Sequence, residues 1–344
     1  MRSTREVTAR NARRTRVRPV GPDRRELPVI GFDIGGTKIA SGLVDRQGHV
    51  RRAHQHPTNA PQPARRTIAQ LTECLKTCWG APPPPIAAVG VGVAGQVDPN
   101  GTVLFAPNLR WHHVRLASEL SKVVDCPVMV TNDVRAITYG VWKHGAGRGV
   151  QDLVCVFIGT GVGGGIVSEG RLRSGPNGTA GELGHMTLVA GGRSCHCPNR
   201  GCWEAYVGGW AIAERAREAV TADAHRGARL VARAGGIVDR ITAETVDEAY
   251  LEGDPLARQI VRETVRYLID GLVSVVNAID PKVVVLGGGV MGGLTSFLDE
   301  INEGVRSRSL PAAARGLRIV PAELGRYSGV VGAATFALEA LQDR

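Results

Sequence analysis

Two stretches far apart in this chain repeat one pattern, and that repeat constrains the fold more than any other feature. Val29-Ile30-Gly31-Phe32-Asp33-Ile34 reads as a buried strand that runs into Gly35-Gly36-Thr37-Lys38 and then a second strand over 39–44. Residues 153–158 read as another buried strand, ending at Gly159-Thr160-Gly161 before a second strand from Gly164. Glycine lets the backbone of such a hairpin tip come close to an anion, and the exposed N–H groups can cradle phosphate. Two such hairpins facing each other would clamp a polyphosphate from both sides. The expected molecule is therefore bilobal and α/β.

Two commoner phosphate motifs fail on context. Gly31 and Gly36 have P-loop spacing, but Thr37 precedes Lys38 and a strand follows where a helix is needed. G-x-G-x-x-G occurs at 90–95 and at 159–164, yet the first leads into the turn 96–101 and the second into the strand-like Ile166-Val167-Ser168. Neither opens a helix, so a dinucleotide site is not expected. Asp33, at a strand end beside the first glycine turn, is placed either to hold Mg²⁺ through water or to act as an ordinary turn carboxylate.

A strand over 128–131 runs straight into Asn132-Asp133, and a helix follows through 142. Backbone donors at that helix N-terminus are expected to keep a carboxylate ionised at neutral pH. An ionised carboxylate at the mouth of a strand can take the proton of a hydroxyl nucleophile. The rest of the first half reads as a third strand over 49–56, a helix over 64–79, a proline connector at 82–85, a strand over 87–93, a loop over 105–111 and a short helix over 114–123. Cys74 and Cys78, four apart on the 64–79 helix, are assigned to packing. Beyond 210 the chain is mostly helical, over 210–222, 228–234 and 243–252. A longer helix opens at Asp254-Pro255 with an apolar stripe of Val261, Val265, Leu268, Leu272, Val275 and Ile279. A strand over 282–286 ends in Gly287-Gly288-Gly289, a third glycine turn suited to passing close under a flat base. A helix over 294–307, a strand over 317–321 and an Ala-rich helix over 329–341 complete the chain, the last returning to the first lobe.

Between the halves lies a metal-site pattern. His185, Cys195, Cys197 and Cys202 put one imidazole and three thiolates within eighteen residues, flanked by Glu182 and Glu204. Cys₃His is a closed tetrahedral set for a structural Zn²⁺. Seven cysteines, an odd count with no secretory leader, point to thiols and a metal site rather than a disulfide framework.

Length and charge set the remaining bounds. At 344 residues two domains or one bilobal unit are expected. The net charge of +10 suggests a nucleic-acid partner until its distribution is read: nine arginines against three acids in residues 1–28 supply +6 of it. That nearly apolar-free tail, 1–27, cannot bury enough surface to order itself and is expected to be disordered. No nucleic-acid or membrane partner is expected, and with no apolar run of spanning length the protein is expected to be cytoplasmic.

Asp33-Ile34-Gly35-Gly36-Thr37-Lys38, Asn132-Asp133, Gly159-Thr160-Gly161, Gly181-Glu182-Leu183-Gly184-His185, the C-x-C-x₄-C-x-E run and Gly287-Gly288-Gly289 occur together and in this order. In this they closely resemble the ROK family (repressors, open reading frames and kinases), above all its bacterial glucokinases, over roughly residues 28–344. The resemblance implies the two-lobed actin/hexokinase-like (ribonuclease H-like) ATPase fold, with sugar in an interlobe cleft. A small lobe, 28–131, would be completed by the terminal helix 328–344, and a large lobe, 132–327, would carry the zinc loop 185–202. It further implies that Asp33, Gly35, Gly36, Thr37, Lys38, Gly159, Thr160 and Gly161 bind ATP phosphates and that Gly287, Gly288 and Gly289 face the adenosine. Gly95, Asn108, Asn132, Asp133, Glu182, His185 and Glu204 would line the sugar site, with Asp133 as catalytic base, Mg²⁺ and structural Zn²⁺ as ions, and a homodimer or homotetramer as the assembly.

The residues suit that chemistry in their own right. A sugar presents hydroxyls all round, and Asn132, Glu182 and Glu204 supply directional carboxylate and amide partners. The implied reaction is transfer of the γ-phosphoryl of ATP to the 6-hydroxyl of glucose. N-acetylmannosamine, N-acetylglucosamine, mannose or fructose as acceptor, and polyphosphate as donor, stay open. A sugar-sensing repressor would need a winged-helix domain ahead of the first lobe, where only an arginine-rich stretch without a helix-turn-helix pattern stands. Two positions depart from the family pattern: Arg135 stands where a second asparagine is usual, and Pro198 where glycine is usual.

Overall fold

A computed structural model describes residues 26–58, 63–80, 84–323 and 325–342. Of the basic tail only Glu26 and Leu27 fall among these, and the proline connector lies partly outside them. The chain opens with strands β1 (Val29–Ile34), β2 (Lys38–Val44) and β3 (Val50–Pro57), then helix α1 (Ala64–Trp79) and strand β4 (Val89–Val93). Strands β5 (Gln96–Val97), β6 (Val103–Ala106) and β7 (Trp111–Val114) form a small antiparallel meander, followed by helix α2 (Leu116–Leu120). Strand β8 (Val128–Asn132) passes directly into α3 (Asp133–His144). Strands β9 (Leu153–Ile158), β10 (Val162–Ser168) and β11 (Arg171–Leu172) begin a second sheet. Helices α4 (Glu204–Val207), α5 (Gly209–Ala222), α6 (Ala228–Arg233), α7 (Ala243–Leu251) and α8 (Pro255–Ile279) precede β12 (Val283–Gly287). Helices α9 (Gly289–Gly293), α10 (Leu298–Arg308) and α11 (Pro311–Ala314), strand β13 (Arg318–Pro321) and α12 (Ser328–Gln342) end the chain.

The repeat read in the sequence extends to whole sheets. One sheet has the order β3-β2-β1-β4-β8 and the other β11-β10-β9-β12-β13. In each, a glycine-turned hairpin and a third strand pair antiparallel, while two later strands add in parallel. Strands buried on both faces need continuous apolar runs, which Val283, Val284, Val285 and Leu286 provide in β12. The long helix α8 starts where its cap predicts: the Asp254 side chain accepts from the Ala257 N–H at 2.8 Å, with Pro255 at the first position. Its stripe of Val261, Val265, Leu268, Leu272 and Val275 is buried in the core under the second sheet.

Helix α12 returns to the first sheet, where Val330, Ala334 and Ala337 pack on Val29, Ala40 and Ala87. The approach is close enough that a Cβ at Gly90 of β4 would run into the Ala333 carbonyl, and one at Gly332 into the Ala136 carbonyl of α3. Three sequence expectations are corrected. Residues 105–111 are a loop only in part: Phe105 and Ala106 end β6 and Trp111 begins β7, while a 3₁₀ turn over Pro107–Leu109 joins the two, with Leu109 and Trp111 buried in the first core. The helix expected over 114–123 shrinks to α2, since Val114 still belongs to β7 and the helix is capped at Ser121. The helix expected from 294 starts at Leu298, after a 3₁₀ turn over Thr295–Phe297. Cys74 and Cys78 are buried in the core, with the Cys78 thiol 3.1 Å from Ser41 Oγ. Overpacking a tight contact costs about 1–3 kcal/mol, so Gly90→Ala should lower unfolding free energy by that amount in a denaturant titration. An unchanged midpoint and slope would contradict the close docking of α12.

Candidate active site

The second and third glycine turns and the Asn132-Asp133 strand end converge on two adjoining cavities. The larger, about 1010 Å³, is lined by Gly95, Asn108, Asn132, Asp133, Glu182, His185 and Glu204, with Gly161, Gly287 and Gly288 on the same wall. The second, about 940 Å³, is lined by Lys38 and Gly289. Gly159, Thr160 and Trp210 border both. Asp33, Gly35, Gly36 and Thr37 line neither. Gly35 instead closes the hairpin tip, its N–H donating to the Lys38 carbonyl at 2.9 Å and its carbonyl accepting from Thr58 Oγ1 at 2.7 Å.

Each acidic group is set by its own element. At the β8–α3 junction Asn132 caps the helix, its Oδ1 accepting from the Arg135 N–H at 3.1 Å. Its Nδ2 donates to the Gly95 carbonyl at 3.1 Å and to Asp133 Oδ1 at 3.0 Å, and the same Oδ1 accepts from the Val134 N–H at 2.9 Å. These donors favour the carboxylate, as expected from sequence, but they are outweighed. Burial pushes the Asp133 carboxyl above its ordinary range, and Glu182 adds to that. The donors expected from sequence are present, and burial makes the carboxylate a stronger base than an exposed aspartate. Glu204 begins α4, where its Oε2 accepts from the Val162 N–H at 2.8 Å and its Oε1 from Trp210 Nε1 at 3.1 Å.

Asp33 lies near the end of β1, half-buried, with its carboxylate against Gly329 of α12. Burial, then the charge of Asp133, raises it to about 6, partly opposed by Lys38. A raised carboxyl holds its proton in the folded state after the unfolded chain has released it. Stability contributed by this group is therefore lost as pH rises from about 4 to about 6. Asp33→Asn should match the parent chain near pH 4 and exceed it at pH 7 by at most about 3 kcal/mol in denaturant unfolding. A gap that does not depend on pH would contradict the shift.

Beside the larger cavity, His185, Cys195, Cys197 and Cys202 bring their ligand atoms within 4.8 Å of one another. His185 Nδ1 is 3.7 Å from Cys195 Sγ, and the Cys197 and Cys202 sulfurs are 3.5 Å apart. Tetrahedral zinc, with Zn–S about 2.3 Å and Zn–N about 2.0 Å, sets its ligands roughly 3.5–3.8 Å apart, so the residues fit that ion. Asn199 Nδ2 donates to Cys202 Sγ at 3.4 Å, a bond that suits a thiolate. Burial and the two neighbouring thiols push Cys195 up to about 12, a barrier to ionisation that a bound dication would remove. Pro198 leaves all three sulfurs in this cluster and itself lines the cavity.

Arg135, the other departure, lines neither cavity. Its guanidinium donates to the Gly178 carbonyl, in the segment leading to Glu182. Several residues at the cavities carried no sequence signal: Trp210, Arg217, Thr242 and Asp247 on one side, Phe105 and His196 on the other. They lie on ordinary helices, strands and loops, and only the tertiary fold brings them together. Gly288, by contrast, was legible as glycine: its φ is +95° and a Cβ would strike the Ile158 carbonyl.

Comparison with known proteins agrees with this geometry. The model of the ROK family matches residues 29–340. The chain is 36% identical to a glucokinase of Streptomyces coelicolor, over 90% of this chain and 97% of that protein. It is 31% identical to a glucokinase of Thermotoga maritima, over 91% and 98%. Among solved structures it is similar to a ROK family glucokinase from Streptomyces griseus in complex with glucose and AMPPNP, with 36% identity, TM-score 0.78, and 91% and 99% of the two chains covered.

Proposed function

The chain belongs to the ROK family, and from that premise we propose that it is an ATP-dependent glucokinase that forms glucose 6-phosphate. The observation that carries this reading is one cavity lined by Asn108, Asn132, Asp133, Glu182, His185 and Glu204, opening past Gly159 and Thr160 into a second. A hexose in the first would meet carboxylates and amides around its ring, while ATP in the second would bring its phosphates to the shared glycine turn. The glucose and AMPPNP held by the similar Streptomyces griseus enzyme support both assignments.

In this reading the described part of residues 28–131, together with α12, forms the small lobe, and 132–327 the large one, since each sheet packs its own core. Asp133 accepts the proton of the glucose 6-hydroxyl as that oxygen attacks the γ-phosphorus in line, and the bond to the ADP oxygen breaks. Its raised pKa brings the base nearer the operating pH, where proton transfer is most effective. Backbone N–H groups of the glycine turns, with Lys38, take up charge spreading on the phosphoryl oxygens. Mg²⁺ bound with ATP would neutralise charge on the phosphates, and Asp33, which lines neither cavity, would reach it only through water. His185 turns Nδ1 to the thiolates, which leaves Nε2 for the sugar.

Release of ADP, followed over a panel of hexoses with ATP and polyphosphate compared, tests the assignment. Glucose with ATP should give the highest kcat/KM, and Asp133→Asn should lower kcat by about 10²–10⁴-fold with little loss of glucose affinity. Unchanged turnover in that variant, or no turnover of any hexose by the parent chain, would overturn the reading. The zinc assignment has its own check. Cys197→Ser, or a chelator, should lower both thermal stability and glucose affinity, and a chain indifferent to both would show that no metal supports the site.

A further inference from the structure

Trp210, the second residue of α5, borders both cavities and belongs to no motif. Three contacts fix it. Its indole stacks on the His196 imidazole, with centroids 4.1 Å apart and planes inclined by 26°. Its Nε1 donates to Glu204 Oε1 at 3.1 Å, and its backbone N–H donates to the Thr160 carbonyl at 3.1 Å. His196 lies between Cys195 and Cys197, Glu204 is a carboxylate of the sugar cavity, and Thr160 is in the glycine turn shared with the nucleotide cavity. One residue therefore joins the metal loop and the sugar wall through its side chain and the phosphate turn through its backbone.

The metal loop is bound to the same helix independently. Arg193 pairs with Glu214 and Glu218 of α5 at 2.8 and 2.7 Å, and its N–H donates to the Tyr206 hydroxyl at 3.0 Å. The loop and α5 are thus one body, with His196 held against the indole. Glu204 needs that body. Its Oε2 is fixed by the Val162 N–H, but Oε1 has Trp210 as its protein donor, so the indole decides which way the carboxylate plane faces.

We propose that Trp210 is a positioning residue through which the metal loop fixes Glu204 for the sugar. The inference rests on the hexose-kinase reading only for what fills the cavity. The indole N–H holds the carboxylate, and the stacked imidazole holds the indole. Loss of this arrangement weakens sugar binding and leaves phosphoryl transfer, which Asp133 serves, nearly untouched. A role in folding alone would not separate the two.

Trp210→Phe keeps a ring that can stack on His196 and removes the N–H. A hydrogen bond to a charged group is worth enough that glucose Kd by calorimetry, and glucose KM, should rise about 10-fold or more. The kcat at saturating glucose should stay within about twofold. His196→Ala, which removes no metal ligand, should move glucose Kd in the same direction. The double variant should be no weaker than Trp210→Phe alone, since both act through one carboxylate. Metal is tested by emission: of the five tryptophans, Trp210 is isolated by subtracting the spectrum of Trp210→Phe from that of the parent chain. Chelation should change this difference spectrum, because the stacked imidazole leaves with the loop.

Unchanged glucose affinity in Trp210→Phe, additive loss in the double variant, or a difference spectrum indifferent to chelation would each overturn the proposal. If Trp210→Phe does not fold, His196→Ala alone must both raise glucose Kd and alter the indole emission, and failure of either is decisive. The emission reading needs no turnover. A chain that phosphorylates no hexose yet shows the metal-dependent emission would fail as a kinase while keeping the link between loop and indole.

Discussion

The contact on which the rest of the structure depends is backbone against backbone. Helix α12 lies on β4 and on α3 at distances that exclude even a methyl group at Gly90 and Gly332. Dispersion falls steeply with separation, so such an approach binds the helices tightly and tolerates no added volume. Because α3 begins with Asp133 and α12 passes beside Asp33, the same contact sets these two carboxyls relative to each other. Their mutual effect follows: Asp133 is one of the charges that raises Asp33 to about 6.

A second level of order centres on Glu204. Its two oxygens join the glycine turn, through Val162, to the helix carrying the metal loop, through Trp210. The metal pattern and the phosphate hairpin look like unrelated features along the chain, yet one carboxylate bonds to both regions. This gives the Cys₃His cluster a reason to lie beside a cleft. A structural ion there stiffens a wall that must present hydrogen-bonding groups in fixed directions, since a pocket that reads hydroxyls gains little from partners free to turn away.

Much of this was legible because it rests on local chemistry. Strands ending in glycine turns, the Asp254-Pro255 helix start and the Cys/His spacing each act over a few residues, and each appears where the pattern put it. Two identical sheet topologies grew from two hairpins recognised by their glycines. What was not legible depends on burial or on distant partners. The meander β5-β6-β7 was missed because its strands are only two to four residues long, and burial of Val97, Val103, Ala106 and Trp111 reveals it. The upward shift of Asp133 arises because desolvation outweighs the cap donors, a balance that no spacing encodes. Trp210 and Asp247 reach the cavities from helices whose sequences read as packing elements.

The account stands most directly on where the phosphoryl group goes. Incubating the full chain with glucose and ATP and following the product by phosphorus–proton correlation NMR reads this without reference to rate. The geometry around Asp133 predicts one phosphate ester, coupled to the two C6 protons, formed in step with ADP. An ester at any other hydroxyl, or ADP formed with no sugar phosphate, would contradict the placement of the base and the sugar.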